Sequence, residues 1–115
     1  MKNFVQEGVS LDWTAPAGGV TAGKAVKIGA AIVMPATDAA EGERFAGWVE
    51  GVYEVDKATG AAWAEGDALY LLADGSAFTK TASGNTKAGY AVVPEGYTAP
   101  ASGAAKGLIR LVPTI

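Results

Sequence analysis

The residues from Glu43 to Leu72 constrain the fold more than any other stretch, because their apolar positions recur with a period of two. Phe45, Val49, Tyr53 and Val55 share one parity of an extended chain, with Gly47 and Gly51 between them. Trp48 and Val52 share the other parity with Glu50 and Glu54. Such alternation sets one row against a core and leaves the other partly wetted. A helix would gather Phe45, Trp48, Val49 and Val52 on one face, so periodicity alone leaves both readings open. Three β-branched valines, two interior glycines and the adjoining turn residues favour a strand. The stretch is expected to form one long strand ending at Val55, a polar turn through Asp56, Lys57, Thr59 and Gly60, and a second strand from Ala68 to Leu72. Phe45, Val49, Tyr53, Leu69 and Leu71 are the expected core.

Shorter strands are expected on either side. Val9, Leu11 and Trp13 alternate with Ser10, Asp12 and Thr14, and Ala15-Pro16-Ala17-Gly18-Gly19 ends that run. Trp13 is expected to pack with its apolar neighbours rather than to serve as a ligand platform. Lys24–Ile28 and Ala31–Met34 form a pair around Gly29-Ala30, closed by Pro35. Ser76–Thr81, Ala88–Val93 and Gly107–Val112 complete about eight strands. In the last, Leu108, Arg110 and Val112 share one parity and Ile109 and Leu111 the other. Arg110 is the exception in an apolar strand, expected at an edge or a subunit boundary. The 16 glycines rule out long uninterrupted helices.

The fold class expected is all-β: a small, mostly antiparallel β-barrel or β-sandwich with an extended N-terminal arm. Residues 1–8 are read as that arm or an edge strand, and residues 9–115 as a single β-domain with one small core. Residues 94–106, with Gly96, Pro100, Ser102 and Gly103, form an exposed loop. Tyr97 within it serves either as a loop anchor or as an intermolecular contact.

Absent residue types exclude more chemistry than any motif supports. The 115 residues contain no cysteine and no histidine. Disulfides, thiolate catalysis, the usual zinc ligands and the common neutral-pH general base are therefore excluded. Nine basic and 12 acidic residues give a formal charge of −3 without a basic run, so no specific nucleic-acid partner is expected. No segment has the length of a membrane span or a signal peptide, and synthesis in a cytoplasm is the expectation.

Three local patterns resemble chemical sites. Gly18-Gly19-Val20-Thr21-Ala22-Gly23-Lys24 has the spacing of a phosphate-binding loop. Ala25, however, stands where the magnesium-binding hydroxyl belongs, and a strand-like run follows where a helix is needed. Asp38, Glu41 and Glu43 read as a solvated acidic turn, with a divalent-ion site as the lesser alternative. Glu50 and Glu54, on one straight strand, would stand roughly 13 Å apart, too far for a glycosidase pair. The serines have no histidine to activate them, and nothing sets a lysine beside one.

Taken in order, these residues resemble a family of small bacteriophage and prophage proteins, the capsid cement or head decoration proteins. Some members of that family carry the label of a predicted RecA/RadA-type recombinase. The resemblance runs from Lys2-Asn3-Phe4-Val5-Gln6 through Leu11–Thr14 and Ala15-Pro16-Ala17-Gly18-Gly19-Val20. It continues with Val49-Glu50-Gly51-Val52-Tyr53-Glu54, Ala61-Ala62-Trp63 and Gly66-Asp67-Ala68-Leu69-Tyr70. It ends with Gly84-Asn85-Thr86, Gly89-Tyr90-Ala91 and Ile109-Arg110-Leu111. The loop from Pro94 to Lys106 is longer than the connection typical of such proteins.

The resemblance implies a structural protein that is not an enzyme and uses no cofactor or metal. It would bind the outer surface of a phage head and brace contacts between subunits of the major capsid protein. A homo-oligomer is implied, with the trimers of other head decoration proteins as the analogy, and no membrane partner. The implied contact residues are Lys2, Asn3, Phe4, Val5 and Gln6 in the arm, with Tyr97 and Arg110 in the domain. Two rival readings are a carbohydrate-binding or host-attachment module using Trp13, Trp48, Trp63 or Tyr97, and a small hydrolase or nucleotide-binding protein.

Overall fold

The computed structural model describes residues 10–112, and every regular element among them is a strand. The strands are β1 (Ser10–Thr14), β2 (Val26–Ile28), β3 (Ala31–Pro35), β4 (Arg44–Trp48), β5 (Gly51–Asp56), β6 (Ala68–Leu71), β7 (Phe78–Thr79), β8 (Thr86–Ala91) and β9 (Lys106–Leu111). They form two antiparallel sheets, ordered β1-β4-β3-β2 and β5-β9-β8-β6-β7. The second sheet curls: Lys57, just past β5, forms a parallel bridge with Phe78 of β7. The all-β expectation holds.

The expected long strand does not exist as one element. Val49 and Glu50 form a bend, so β4 ends in the four-stranded sheet and β5 begins in the five-stranded one. Gly51 makes the corner with φ of 127°, a region L side chains rarely enter. The turn keeps the inward parity but changes the core it faces. Phe45 and Val49 join one apolar cluster, whereas Val55 and the half-buried Tyr53 join another. A period-two pattern survives a corner, which is why alternation alone predicts continuity. Glu50 and Glu54 consequently do not lie on one straight strand, and the 13 Å separation does not apply.

The expected single core is likewise two clusters that share β3. Ile32 and Met34 point into the larger one, with Leu69, Leu71, Ile109 and Leu111 of the five-stranded sheet. Val33 points the opposite way, into a smaller cluster with Phe45 and Val49. A strand buried on both faces reads as an unbroken apolar run, which is what Ala31–Met34 is. Trp13 packs half-buried against the smaller cluster, and its indole N–H donates to Gly47 O at 3.3 Å. Of the expected core residues, Phe45, Val49, Leu69 and Leu71 are buried and Tyr53 is partly so.

The glycine-rich stretch is two tight turns around a single bridge between Val20 and Ala39, and it leads into strand β2. The acidic turn has its carboxylates directed at three separate backbone amides. Asp38 accepts from Ala22 N–H at 2.8 Å, Glu43 from Ala40 N–H at 2.7 Å and Glu41 from Gly18 N–H at 3.4 Å. These bonds lash the turns together. Among the described residues no three acidic groups gather as a metal site.

Candidate interaction surface

Side chains on β9 alternate strictly. Ile109 and Leu111 are fully buried, while Leu108 and Arg110 face outward and are half-buried. Register extends that outer face across the sheet, because Val52 of β5 and Tyr90 of β8 both stand opposite Arg110, and Ala68 of β6 stands opposite Tyr90. Val52, Arg110, Tyr90 and Ala68 thus form one cross-strand row. Val52 is 52% exposed and Tyr90 42%. The sequence reading places Arg110 at an edge or a subunit boundary; β9 lies between β5 and β8, so the edge alternative does not hold. Its aliphatic stem covers the middle of a sheet.

The guanidinium of Arg110 donates to Glu50 at 2.9 Å, and the Tyr53 hydroxyl donates to Glu50 O at 2.8 Å. The corner between the sheets is thereby held through both its side chain and its backbone. Burial pushes the Tyr53 phenol above its ordinary value, with the nearby Arg110 charge acting in the opposite direction. At the far end of the row pair, Lys106 donates to Asp56, and Lys24 lies 3.7 Å from the same carboxylate. The Lys106 hydrogen bond holds Asp56 below the usual carboxylate range, and Asp56 holds Lys106 above the usual amine range.

Tyr97, 62% exposed, overhangs the same face. It borders a shallow depression of about 120 Å³ shared with Glu54, Val92, Pro100 and Leu108. Its amide donates to Pro94 O at 3.0 Å, closing a turn. The loop that carries it is tied down from beneath. Trp63 N–H donates to Pro100 O at 3.1 Å and Gly60 N–H to Ser102 O at 2.8 Å. Lys57, only 4% exposed, donates from Nζ to Ala58 O and Ser102 O at 3.2 Å and to Ala104 O at 3.5 Å, with Nζ 5.9 Å from the Trp63 ring centre. Carbonyl dipoles and an aromatic face replace the water this ammonium gives up.

The two site residues of the domain predicted from sequence therefore share a face: Tyr97 contacts the depression beside Leu108, and Arg110 is the next outward residue on that strand. Lys2, Asn3, Phe4, Val5 and Gln6 lie outside the described residues. Sequence reasoning placed Val52 on the partly wetted parity but did not choose it or Tyr90 as a contact residue, although the parity of Tyr90 opposite Ala91 carried the same signal. It also missed Lys57, for which no signal exists, since a lysine in a polar turn reads as solvated.

Val52, Tyr90 and Tyr97 are the exposed large apolar side chains among the described residues, and all three belong to this one face. The tryptophans do not. Trp63 is 2% exposed, Trp13 packs on the smaller cluster, and Trp48 packs on the larger one with its ring centre 6.4 Å from that of Tyr53. An exposed tryptophan stacking platform is thus not available to a sugar. A hollow of about 440 Å³ opens between the glycine-rich turns and the Leu71–Gly75 segment. Asp74 on its wall accepts from the Ser76 amide at 2.9 Å and the Ser76 hydroxyl at 2.7 Å.

A family model described as phage cement protein matches residues 5–111. The chain belongs to the phage cement protein family. No curated protein and no solved structure gives a significant match. Membership gives this cement protein a structural role on the phage capsid, in association with capsid protein. The outer face of the five-stranded sheet carries Val52, Tyr90 and Tyr97 beside the Arg110–Glu50 and Lys106–Asp56 ion pairs.

Proposed function

We propose that the protein binds the exterior of an assembled phage head and stabilises contacts between major capsid protein subunits, with the outer face of the five-stranded sheet turned toward the capsid. The observation that carries the contact assignment is the gathering of Val52, Tyr90 and Tyr97 on one face. Scattered single apolar residues are ordinary on a surface, whereas a cluster rimmed by charges marks an interface. Leu108, Arg110 and the loop through residues 94–106 extend it. Residues 2–6 supply a second contact, and the protein, made in the host cytoplasm, acts as a homo-oligomer on the lattice. Repetition over that lattice multiplies modest contacts through effective concentration. Supporting this reading, the family role is structural, and Asp38, Glu43 and Asp67, outside the face, are engaged with backbone amides rather than with one another.

The test mixes full-length protein with undecorated cognate heads, expanded and unexpanded, then measures occupancy and heats the particles. Saturable occupancy and a higher disruption temperature are expected. No binding to either form of head would overturn the assignment. Protein lacking residues 2–6 should stay folded and bind more weakly; equal binding would remove the arm from the mechanism and leave the rest.

A further inference from the structure

Strand β5 is paired along its length on one side only. β9 runs beside all of it, whereas on the other side β7 meets only its end, where Phe78 bridges Lys57 and Phe78 O accepts from Ala58 N–H at 2.9 Å. Lys57 N–H donates to Ala105 O at 2.9 Å, which fixes the alternation of the ladder. Gly51, Tyr53 and Val55 turn their peptide groups toward β9, so Val52, Glu54 and Asp56 turn theirs away. An open edge is a template for another strand, and proteins blunt it by shortness or cover. The edge strands β7, β2 and β1 have two, three and five residues, while β5 has six. Beside its outward groups stand the half-exposed Val52 and the exposed Glu54.

Charge decides what fits there. Reading outward positions from the corner, the row is Glu50, Val52, Glu54 and Asp56. Arg110 neutralises Glu50, and Lys106 with Lys24 neutralises Asp56. Glu54 makes no salt bridge among the described residues, although its charge reaches Lys106. A second copy is a poor occupant. Two-fold antiparallel pairings of β5 with β5 centred anywhere from Val52 to Val55 set acid against acid: Glu50 on Glu54, Glu50 on Asp56, Glu54 on Glu54 or Glu54 on Asp56. Like charges directly opposite destabilise a sheet.

We propose that the open edge of β5 takes up an extended segment of the capsid protein as a sixth strand, with a Lys or Arg opposite Glu54 and a small apolar residue opposite Val52. The inference rests on the cement reading above. Main-chain bonds from Val52 and Glu54 supply affinity that any extended chain could use, and the unpaired charge of Glu54 selects a basic one. The added strand would continue the Val52–Arg110–Tyr90 row, making the edge and the outer face one surface.

Two substitutions separate backbone from charge. Glu54→Pro removes an outward N–H and breaks no bond to β9, a placement that edge strands tolerate. Glu54→Lys keeps the backbone and reverses the charge. Wild type and both variants are first checked for thermal unfolding and sedimentation, then titrated onto purified undecorated heads of the cognate phage. Hydrogen exchange of the 50–56 peptide is measured in wild type, free and head-bound. Expected are about tenfold weaker occupancy for Glu54→Pro, about threefold weaker for Glu54→Lys, and slowed exchange of the peptide on binding. If wild type binds but both variants bind equally well, or the peptide exchanges unchanged, the edge proposal falls and the cement reading stands. If wild type does not bind, the cement reading falls and takes the capsid partner with it. Should Glu54→Pro misfold, Glu54→Lys and the wild-type exchange decide. Free protein that is oligomeric, and monomeric as Glu54→Pro, would give the edge to a second copy. Protection already present in free protein, and lost when residues 2–6 are deleted, would give it to the chain's own N-terminus. Either result overturns the proposal.

Discussion

Trp63 lies flat against Gly107: a side-chain carbon at position 107 would sit 2.6 Å from Trp63 Cε3. The indole needs that bare stretch of β9 to stay buried, and the Trp63 amide in turn holds Pro100 of the loop that carries Tyr97. One contact therefore links the larger core to the surface loop.

Gly107→Ala is expected to destabilise the protein by about 1–3 kcal/mol, because the added methyl meets a ring that has no room to move. Trp63→Ala should cost about 3–5 kcal/mol. The double variant should be less destabilised than the two single effects added together, since removing the ring removes the clash. Equilibrium denaturant unfolding of the four proteins checks this, and strict additivity would show that the two residues do not meet.

Lys57 gives a different kind of test. Its ammonium, buried under residues 94–106, satisfies carbonyls on both sides of the loop. Lys57→Met keeps the apolar stem, removes the ammonium from Ala58 O and Ala104 O and leaves Ser102 O only its bond from Gly60 N–H, at a cost of about 2 kcal/mol. The loss should be local before it is global. Limited proteolysis should cut within residues 94–106 of the variant under conditions where wild type is intact. Cleavage elsewhere first would place the clamp's importance in the core instead.

Much of this was legible in the sequence, and the parts that were not share a cause. Alternation in Ser10–Thr14, Gly107–Val112 and around Leu69 and Leu71 reports which side of a strand is apolar, and the structure buries Ile109, Leu69 and Leu71 accordingly. It does not report where a strand changes sheets. The corner at Val49-Glu50 depends on Gly51, and an interior glycine signals a bulge or bend without telling which of Gly47 and Gly51 makes it. Nor does local pattern assign cross-strand partners. Tyr97 and Arg110 could be picked singly as a loop aromatic and a stray charge. Their common face, and the row joining Val52 to Tyr90, follow from the pairing of β5, β8 and β9, which is long-range. Lys57 was invisible for the same reason, since its acceptors lie 45 and 47 residues away.

The Asp56–Lys106 pair sets the pH response of the β5–β9 end. Asp56 is held below the usual carboxylate range by Lys106, so its contribution is present above the unfolded carboxylate value and is lost as pH falls through the folded one. Lys106 is raised by Asp56, so its contribution is present below the unfolded amine value and is lost as pH rises through the folded one. Stability from this pair is expected to be flat across neutral pH and to decline at both extremes. Asp67, lowered by the Ala64 amide and then by Lys80, adds to the acid side only. Thermal unfolding of wild type and Asp56→Asn against pH measures it. Both groups are exposed, so the difference should shrink with added salt. A salt-independent difference would mean that Asp56 acts through something other than this ion pair.

Tyr97 provides the sharpest separation between stability and binding. It is 62% exposed, and its backbone turn is closed by a main-chain bond to Pro94 that a substitution leaves intact. Tyr97→Ala should therefore change unfolding free energy by no more than about 0.5 kcal/mol. On the head the same change should weaken occupancy by about tenfold or more, because buried aromatic anchors dominate interfaces of this kind. Tyr90→Ala, on the same face, should also weaken binding. Tyr70→Ala, also on β6 and β8's outer side but half-buried beside Lys87, should weaken it less. Tyr97 stands over Leu108, and Leu108 lies one outward position from Arg110 opposite Tyr90, so the Tyr97 and Tyr90 effects should be coupled rather than additive. Titration of undecorated heads with the single and double variants measures all of this. If Tyr97→Ala and Tyr90→Ala both bind like wild type while remaining folded, the outer face of the five-stranded sheet is not the face turned to the capsid.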